Sequence, residues 1–132
     1  MTRLRPALRR VTLAAAVPYG FTLAIWGSGA VAVAEMGAPD ILDVLLFVGG
    51  AIGAFVVIEL VAHGGRRVGD PGPPPAQVWT YAHLVSAGGA VGVTAAVVQL
   101  PLGAADWVLA GVSGCGVYLL ATATALVAAA GR

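Results

Sequence analysis

The chain has 132 residues, of which 59% are hydrophobic and only 10% are charged, whereas a soluble domain carries roughly a quarter charged residues. The net charge of +1 comes from seven arginines against six carboxylates, and this composition excludes an ordinary water-soluble domain. A single cysteine, Cys115, excludes an intramolecular disulfide and a multi-cysteine zinc site. No basic face interleaved with aromatic residues is present, so nucleic-acid binding is not expected.

Four long apolar stretches follow one another along the chain. They predict membrane-crossing helices at 11–34, 41–62, 78–100 and 104–130, because each is long enough to cross about 30 Å of hydrocarbon at about 1.5 Å per residue. Short connections make sequential helices antiparallel neighbours. The predicted fold is therefore all-α, a single transmembrane domain over the whole chain, forming a four-helix up-down-up-down bundle. The one sizeable loop, at 64–76, is predicted to be cytoplasmic.

The arginines all fall on one predicted side of these crossings. Four precede the first stretch, including Arg9 and Arg10, while Arg66 and Arg67 occupy the loop and Arg132 ends the sequence. The positive-inside rule therefore places both termini in the cytoplasm. The same arginines are expected to contact anionic lipid head groups. The absence of lysine, together with abundant alanine, glycine, valine and proline, is typical of a GC-rich bacterial genome and predicts a bacterial inner membrane.

The first stretch also has features of a cleavable signal peptide. Arginines precede an apolar run that contains Ala-Val-Ala motifs at 30–32 and 32–34. However, the hydrophobic region of a signal peptide spans about 7–15 residues, and this run is longer and includes Tyr19 and Trp26. We therefore predict that the stretch is retained as a membrane crossing.

Glycines at helical spacing form the most extensive pattern inside the stretches. Residues four apart lie on one helical face, and small residues there let helix backbones approach closely in lipid. The glycines predicted to form such packing or subunit interfaces are Gly49, Gly53, Gly88, Gly92, Gly111 and Gly114. There are more of them than four helices need, which predicts self-association or docking to a larger membrane protein. Packing within the chain is the alternative for each of them.

The third stretch has two different faces when its residues are placed at about 100° per residue. One face is mildly polar and comprises Thr80, His83, Ala87, Ala90 and Thr94. The other comprises Gly88, Gly92, Ala96 and Gln99. We predict that the second face makes close helix contacts and that the first meets a polar partner.

Ionisable residues inside the stretches indicate a polar site near the cytoplasmic side. Glu59 and His63 lie one turn apart near the inner end of the second stretch. His83 reaches a similar depth in the third stretch, and Tyr19 does so in the first. Glu59 is predicted to meet His83 across adjacent antiparallel helices.

Three interpretations of this cluster remain open. It is a structural pair that fixes helix register, a proton-titrating site used in transport or gating, or a metal site built from Glu59, His63 and His83. The metal pattern is the weakest, and no metal or cofactor is predicted. No nucleophile elbow, phosphate-binding loop or paired carboxylates inside a span are found, so an enzyme is not predicted. Asp40 and Asp43 are expected to cap a helix.

The sequence thus favours a small homo-oligomeric membrane protein that forms a pathway for an ion, a proton or a small solute. Glu59 and His83 are its predicted polar site. The alternative is a non-transporting accessory or assembly subunit of a larger membrane complex. Under the first hypothesis Glu59→Gln should abolish flux in a folded protein, and under the second Gly92→Leu should release a partner.

Overall fold

The computed structural model of the protein describes residues 4–64 and 76–130, and the side chains of 18–63 and 78–129. The described residues form four helices and no strand. The helices are α1 (Leu4–Met36), α2 (Ile41–Gly64), α3 (Ala76–Val97) and α4 (Ala105–Ala130). The predicted all-α, four-helix fold is confirmed. Most of the predicted loop at 64–76 lies outside the described residues, as do Arg66 and Arg67, and the side chains of Arg9 and Arg10 also lie outside them.

Three helical segments are long and apolar enough to cross a membrane, which indicates a membrane protein. They are Ile41–His63, Val78–Val97 and Ala105–Ala129. α3 ends before the predicted residue 100, because the chain approaches Pro101. Proline cannot donate a backbone hydrogen bond and disfavours helical geometry in the residue before it.

The turn between α1 and α2 is held by backbone and carboxylate hydrogen bonds. The Gly37 N–H donates to the Val33 carbonyl at 2.9 Å, and Gly37 has a φ of 92°, a left-handed conformation that favours glycine. The Asp43 N–H donates to Asp40 Oδ1 at 2.9 Å, and the Asp40 N–H donates to Asp43 Oδ2 at 3.1 Å. This reciprocal capping box satisfies two N–H groups at the start of α2 and confirms the predicted cap.

α4 is the central helix of the bundle. It packs against α1, α2 and α3, and α1 also packs against α3. Among the described residues, α2 and α3 do not pack against each other. The bundle is therefore an α1/α3/α4 unit with α2 added on one side of α4. The prediction that α2 and α3 are neighbours is wrong, because adjacency in sequence does not decide which helix covers which face.

The contact between α2 and α4 depends on two glycines. A Cβ atom on Gly111 of α4 would overlap the Phe47 carbonyl oxygen, and one on Gly50 of α2 would overlap the Val108 carbonyl oxygen. The two backbones therefore touch, the kind of approach that small residues permit in lipid. Gly50 was not among the predicted packing glycines.

The other predicted glycines divide into two groups. Gly114 packs on α1, since a Cβ there would lie 2.8 Å from Ser28 Oγ. The remaining four are exposed, and an added Cβ would meet no described atom within 4 Å; they are Gly49, Gly53, Gly88 and Gly92. Packing within the described chain therefore does not account for them.

Candidate functional site

The buried hydrogen-bonding side chains of the bundle lie in the α1/α3/α4 unit. His83 of α3 is only 4% exposed, and Tyr118 of α4 is also buried. His83 Nδ1 lies 2.6 Å from Tyr118 Oη, and the two rings stack with an interplanar angle of 26°. This His83–Tyr118 pair is the candidate functional site.

Aromatic rings and one glycine enclose the pair. Trp79 meets the His83 ring edge to face at a centroid distance of 5.1 Å, and Phe21 meets the Tyr118 ring in the same way at 5.6 Å. Gly20 of α1 lies against both residues, since a Cβ there would be 2.8 Å from Tyr118 Oη and 2.9 Å from His83 Cβ. Only a residue without a side chain lets α1 close over the pair at this distance.

The second imidazole nitrogen is the unusual feature of the site. His83 Nε2 is buried and has no hydrogen-bond partner among the described residues, and the same holds for Thr122 Oγ1, one turn beyond Tyr118 on α4. A neutral imidazole presents one N–H donor and one acceptor nitrogen. Leaving either buried without a partner costs about 1–3 kcal/mol. His83 therefore has one nitrogen committed to Tyr118 and one available for another hydrogen-bonding group.

A cluster of hydroxyl groups joins the same three helices further along the core. Thr94 Oγ1 of α3 lies 3.0 Å from Ser28 Oγ of α1 and 2.8 Å from Ser113 Oγ of α4. All three residues are buried. Thr94 is eleven residues from His83, which is about 16 Å along a helix. Ser86, between them on α3, is buried as well.

The polar face predicted for α3 is buried, whereas the face predicted to make close helix contacts makes none at Gly88 or Gly92 among the described residues. His83, Ala87, Ala90 and Thr94 are buried, whereas Gly88, Gly92, Ala96 and Gln99 are exposed. The polar face meets its partner on α4, not on α2. Gln99, at the far end of the exposed face, donates from Nε2 to Glu35 Oε2 of α1 at 2.9 Å.

Glu59 and His63 lie on the exposed surface of α2, with side chains 55% and 75% exposed. Glu59 Oε1 is 3.3 Å from His63 Nδ1, which also lies 3.0 Å from the Glu59 carbonyl oxygen. The predicted meeting of Glu59 with His83 is therefore wrong. The physical reason is that α2 packs on α4 and does not face α3.

Tyr19 is not part of the site, and Tyr118 takes the place that was predicted for it. Tyr19 is 66% exposed, because its neighbour Gly20 occupies the face of α1 that covers the pair. Tyr118 was not among the residues predicted for the polar site. The signal that identifies it is a phenol deep inside a span, whose hydroxyl needs a partner when buried.

A metal site is not supported by the described residues. Among them, no three histidine, cysteine, aspartate or glutamate residues converge, so Glu59, His63 and His83 do not form the alternative site. No protein-family model, curated protein or solved structure matches the chain.

Proposed function

We propose that this is a membrane protein that moves protons through its α1/α3/α4 unit, with His83 and Tyr118 as the exchanging pair. The observation that carries the proposal is a buried imidazole with Nδ1 against a phenol and Nε2 without a partner among the described residues. Imidazole takes up a proton at one nitrogen and releases one from the other, and its unperturbed titration falls near physiological pH.

A proton fits this site better than a larger solute or a metal cation. The pair is buried and packs against Trp79, Phe21 and Gly20. Metal cations such as sodium, magnesium or calcium prefer several oxygen ligands, and no carboxylate hydrogen-bonds to the pair among the described residues. The available groups are ring nitrogens and hydroxyls, which both donate and accept protons.

Further hydroxyl groups continue the proposed path in both directions. Thr122 follows the pair toward the C-terminal end of α4. Ser86 and the cluster around Thr94 follow it along α3. Ser86 and Thr94 are eight residues apart, about 12 Å. Water molecules would have to bridge this interval, as they commonly do between buried polar groups.

The proposed setting is a bacterial inner membrane crossed four times, up-down-up-down, with both termini in the cytoplasm. The one-sided distribution of the arginines supports this orientation, as do the three helices that are long and apolar enough to cross. α1 would supply the fourth crossing. In this orientation the His83–Tyr118 pair lies nearer the cytoplasmic side and the α1–α2 turn lies outside.

We also propose that the protein self-associates. Gly49 and Gly53 on α2, and Gly88 and Gly92 on α3, present bare helix backbone that no described residue covers. A second copy would bury these faces, as small-residue faces do in lipid. The same observation favours the second candidate function, an accessory subunit whose glycine faces pack on a larger membrane protein.

Proton flux into proteoliposomes, driven by a potassium diffusion potential and followed with an internal pH dye, tests the proposed path. His83→Gln and Tyr118→Phe should each lower the flux by about tenfold or more, as expected when an acid–base group is removed. The matched controls are His63→Gln and Tyr19→Phe, which change the same residue types on exposed surfaces and should leave the flux within about twofold of the parent.

The proposal is wrong if folded wild-type protein carries no more protons than empty vesicles, or if the four variants behave alike. Native mass spectrometry of the protein from its host membrane then decides the alternative. A stoichiometric larger partner would identify an accessory subunit.

A further inference from the structure

Two buried polar atoms of the bundle have no hydrogen-bond partner within the described part of the chain. They are Nε2 of His83 on α3 and Oγ1 of Thr122 on α4. The two residues are only 4% and 9% exposed. In native proteins almost all buried polar atoms are satisfied, by the protein itself or by an ordered water or ion. Both atoms therefore point to a bound group that supplies their hydrogen bonds.

The Thr122 hydroxyl differs from those of three other helical threonines in its hydrogen bonding. Thr22, Thr94 and Thr124 each donate to a backbone carbonyl of their own helix, at 2.7, 2.9 and 3.0 Å. This is a common way for a threonine to satisfy its hydroxyl inside a helix. Thr122 Oγ1 makes no such bond. Its hydroxyl is therefore available to a group from outside α4.

The two atoms lie on the same side of the His83–Tyr118 pair. The contacts between α3 and α4 run in opposite order along the two helices, so Thr122, one turn beyond Tyr118, is level with the turn of α3 that precedes His83. A helical side chain leans toward the N-terminus of its own helix. The His83 ring does so, since it meets Trp79 of the preceding turn. His83 Nε2 and Thr122 Oγ1 therefore approach the same level of the core from two helices.

Water matches the chemistry of these two atoms. A neutral imidazole presents Nε2 as a donor or as an acceptor according to its tautomer, and a threonine hydroxyl does both. A water molecule can pair with either arrangement. A larger molecule would have to separate the helices, because both side chains are buried. A metal ion would lack ligands, since no three histidine, cysteine, aspartate or glutamate side chains converge within the described ranges.

We propose that one buried water molecule binds between His83 Nε2 and Thr122 Oγ1. The imidazole is then bonded on both sides, at Nδ1 by Tyr118 and at Nε2 by the water. In the proposed proton path, this water is the group that exchanges protons with His83 on the side of the α4 C-terminus. Thr122 is the positioning residue that holds it. The role of the water in proton transfer rests on the proposed function, whereas its binding does not.

Nuclear magnetic resonance of the imidazole in liposomes tests the site without measuring flux. His63→Gln leaves His83 as the only histidine, so isotope-labelled histidine reports on one ring. Nε2 is identified by its bond to Cδ2, which Nδ1 lacks. Magnetisation transfer from water should reach Nε2 faster than Nδ1, because Nδ1 is bonded to the Tyr118 hydroxyl.

Two threonines of α4 provide a variant and its matched control. Thr122→Val keeps the shape of the side chain but removes the hydroxyl. The rate of water transfer to Nε2 should then fall about fivefold, which corresponds to about 1 kcal/mol for one lost hydrogen bond. Thr124→Val removes a hydroxyl that bonds the Ala121 carbonyl of its own helix and should leave the rate within about twofold of the parent. Thr122→Ser retains the hydroxyl and should retain the transfer.

The proposal is overturned if water transfer reaches Nε2 no faster than Nδ1, or if Thr122→Val and Thr124→Val behave alike. If Thr122→Val does not fold, the comparison of the two ring nitrogens in the His63→Gln protein decides. Proton flux measured on the same liposomes separates this site from the path. Water at Nε2 in a protein without flux would contradict the path alone, and flux with no water at Nε2 would contradict the site alone.

Discussion

The two histidines of the chain lie in opposite surroundings, His63 at the end of α2 and His83 about two turns inside α3. His83 is buried between α1 and α4 and bonds a side chain of another helix, whereas His63 is exposed and bonds Glu59 of its own helix. The difference lies in the neighbours. Among the described residues, α3 packs against α1 and α4, whereas α2 packs extensively only against α4. Depth in a span therefore does not assign a role to an ionisable residue until the covering helices are known.

The same contrast explains the composition of the two helices. α2 is the most apolar of the three segments that are long and apolar enough to cross a membrane, and it has the smallest buried share. A helix that faces lipid on most sides must be apolar nearly all round. α3 has two protein neighbours and can bury His83 and Thr94 because partners are available. The ionisable pair on α2 lies near the helix end, where long polar side chains reach the interface.

The largest expected effect tests the contact that holds α2 to α4. Gly111→Ala places a methyl group where the Phe47 carbonyl oxygen lies, and it should lower the free energy of unfolding by about 1–3 kcal/mol. Gly49→Ala adds the same methyl group where no described atom is within 4 Å. For the monomer, at a protein concentration low enough to prevent self-association, the change in the free energy of unfolding should range from zero to a gain of about 1 kcal/mol, since alanine favours helix over glycine. Unfolding in mixed micelles with sodium dodecyl sulfate measures both.

An equal loss of unfolding free energy in both variants would contradict the difference between Gly111, which is in contact, and Gly49, which is exposed. It would mean that Gly49 is also in contact, and the partner would have to be another chain. Repeating the titration over a range of protein concentrations separates the cases, because only association makes stability depend on concentration.

A smaller effect is expected in the polar core. Thr94→Val keeps the shape of the side chain but removes the hydroxyl that joins Ser28 to Ser113. The substitution should lower the free energy of unfolding by about 1 kcal/mol, which is in the range measured for hydrogen bonds between membrane helices. Thr124→Val is the control, because the Thr124 hydroxyl donates to the Ala121 carbonyl of its own helix. A similar loss in both variants would show that the shared hydroxyl adds nothing to the α1/α3/α4 unit.

The helical spacing of residues in the sequence predicted the features that depend on one helix at a time. It predicted the four helices, the Asp40 cap and the polar face of α3. It did not predict which helices are neighbours, because a repeat of about 3.6 residues says which side chains share a face but not what covers that face. The predicted contact of Glu59 with His83 failed for this reason, and Tyr118 was overlooked.

The glycines of α2 show the same limit within one helix. Gly49 and Gly50 are adjacent in sequence but point about 100° apart. The pair Gly49/Gly53 has the spacing of a packing motif, yet it is exposed, while Gly50 touches the Val108 carbonyl oxygen. Gly50 and Ala54 have the same four-residue spacing, so the sequence offered both faces of α2 without ranking them.

The smallest expected effect concerns Glu59. Its carboxylate is more than half exposed and is paired with His63, which is more exposed still. Exposed pairs of this kind contribute little to the stability of the fold, because solvent screens the charges and both side chains lose conformational freedom when they pair. Glu59→Gln should therefore change the free energy of unfolding by less than about 0.5 kcal/mol and leave proton flux as in the parent. Loss of flux in a stable Glu59→Gln protein would contradict a path confined to α1, α3 and α4. The exposed face of α2 would then have to form the path together with a second copy, and the two histidines would no longer have different roles.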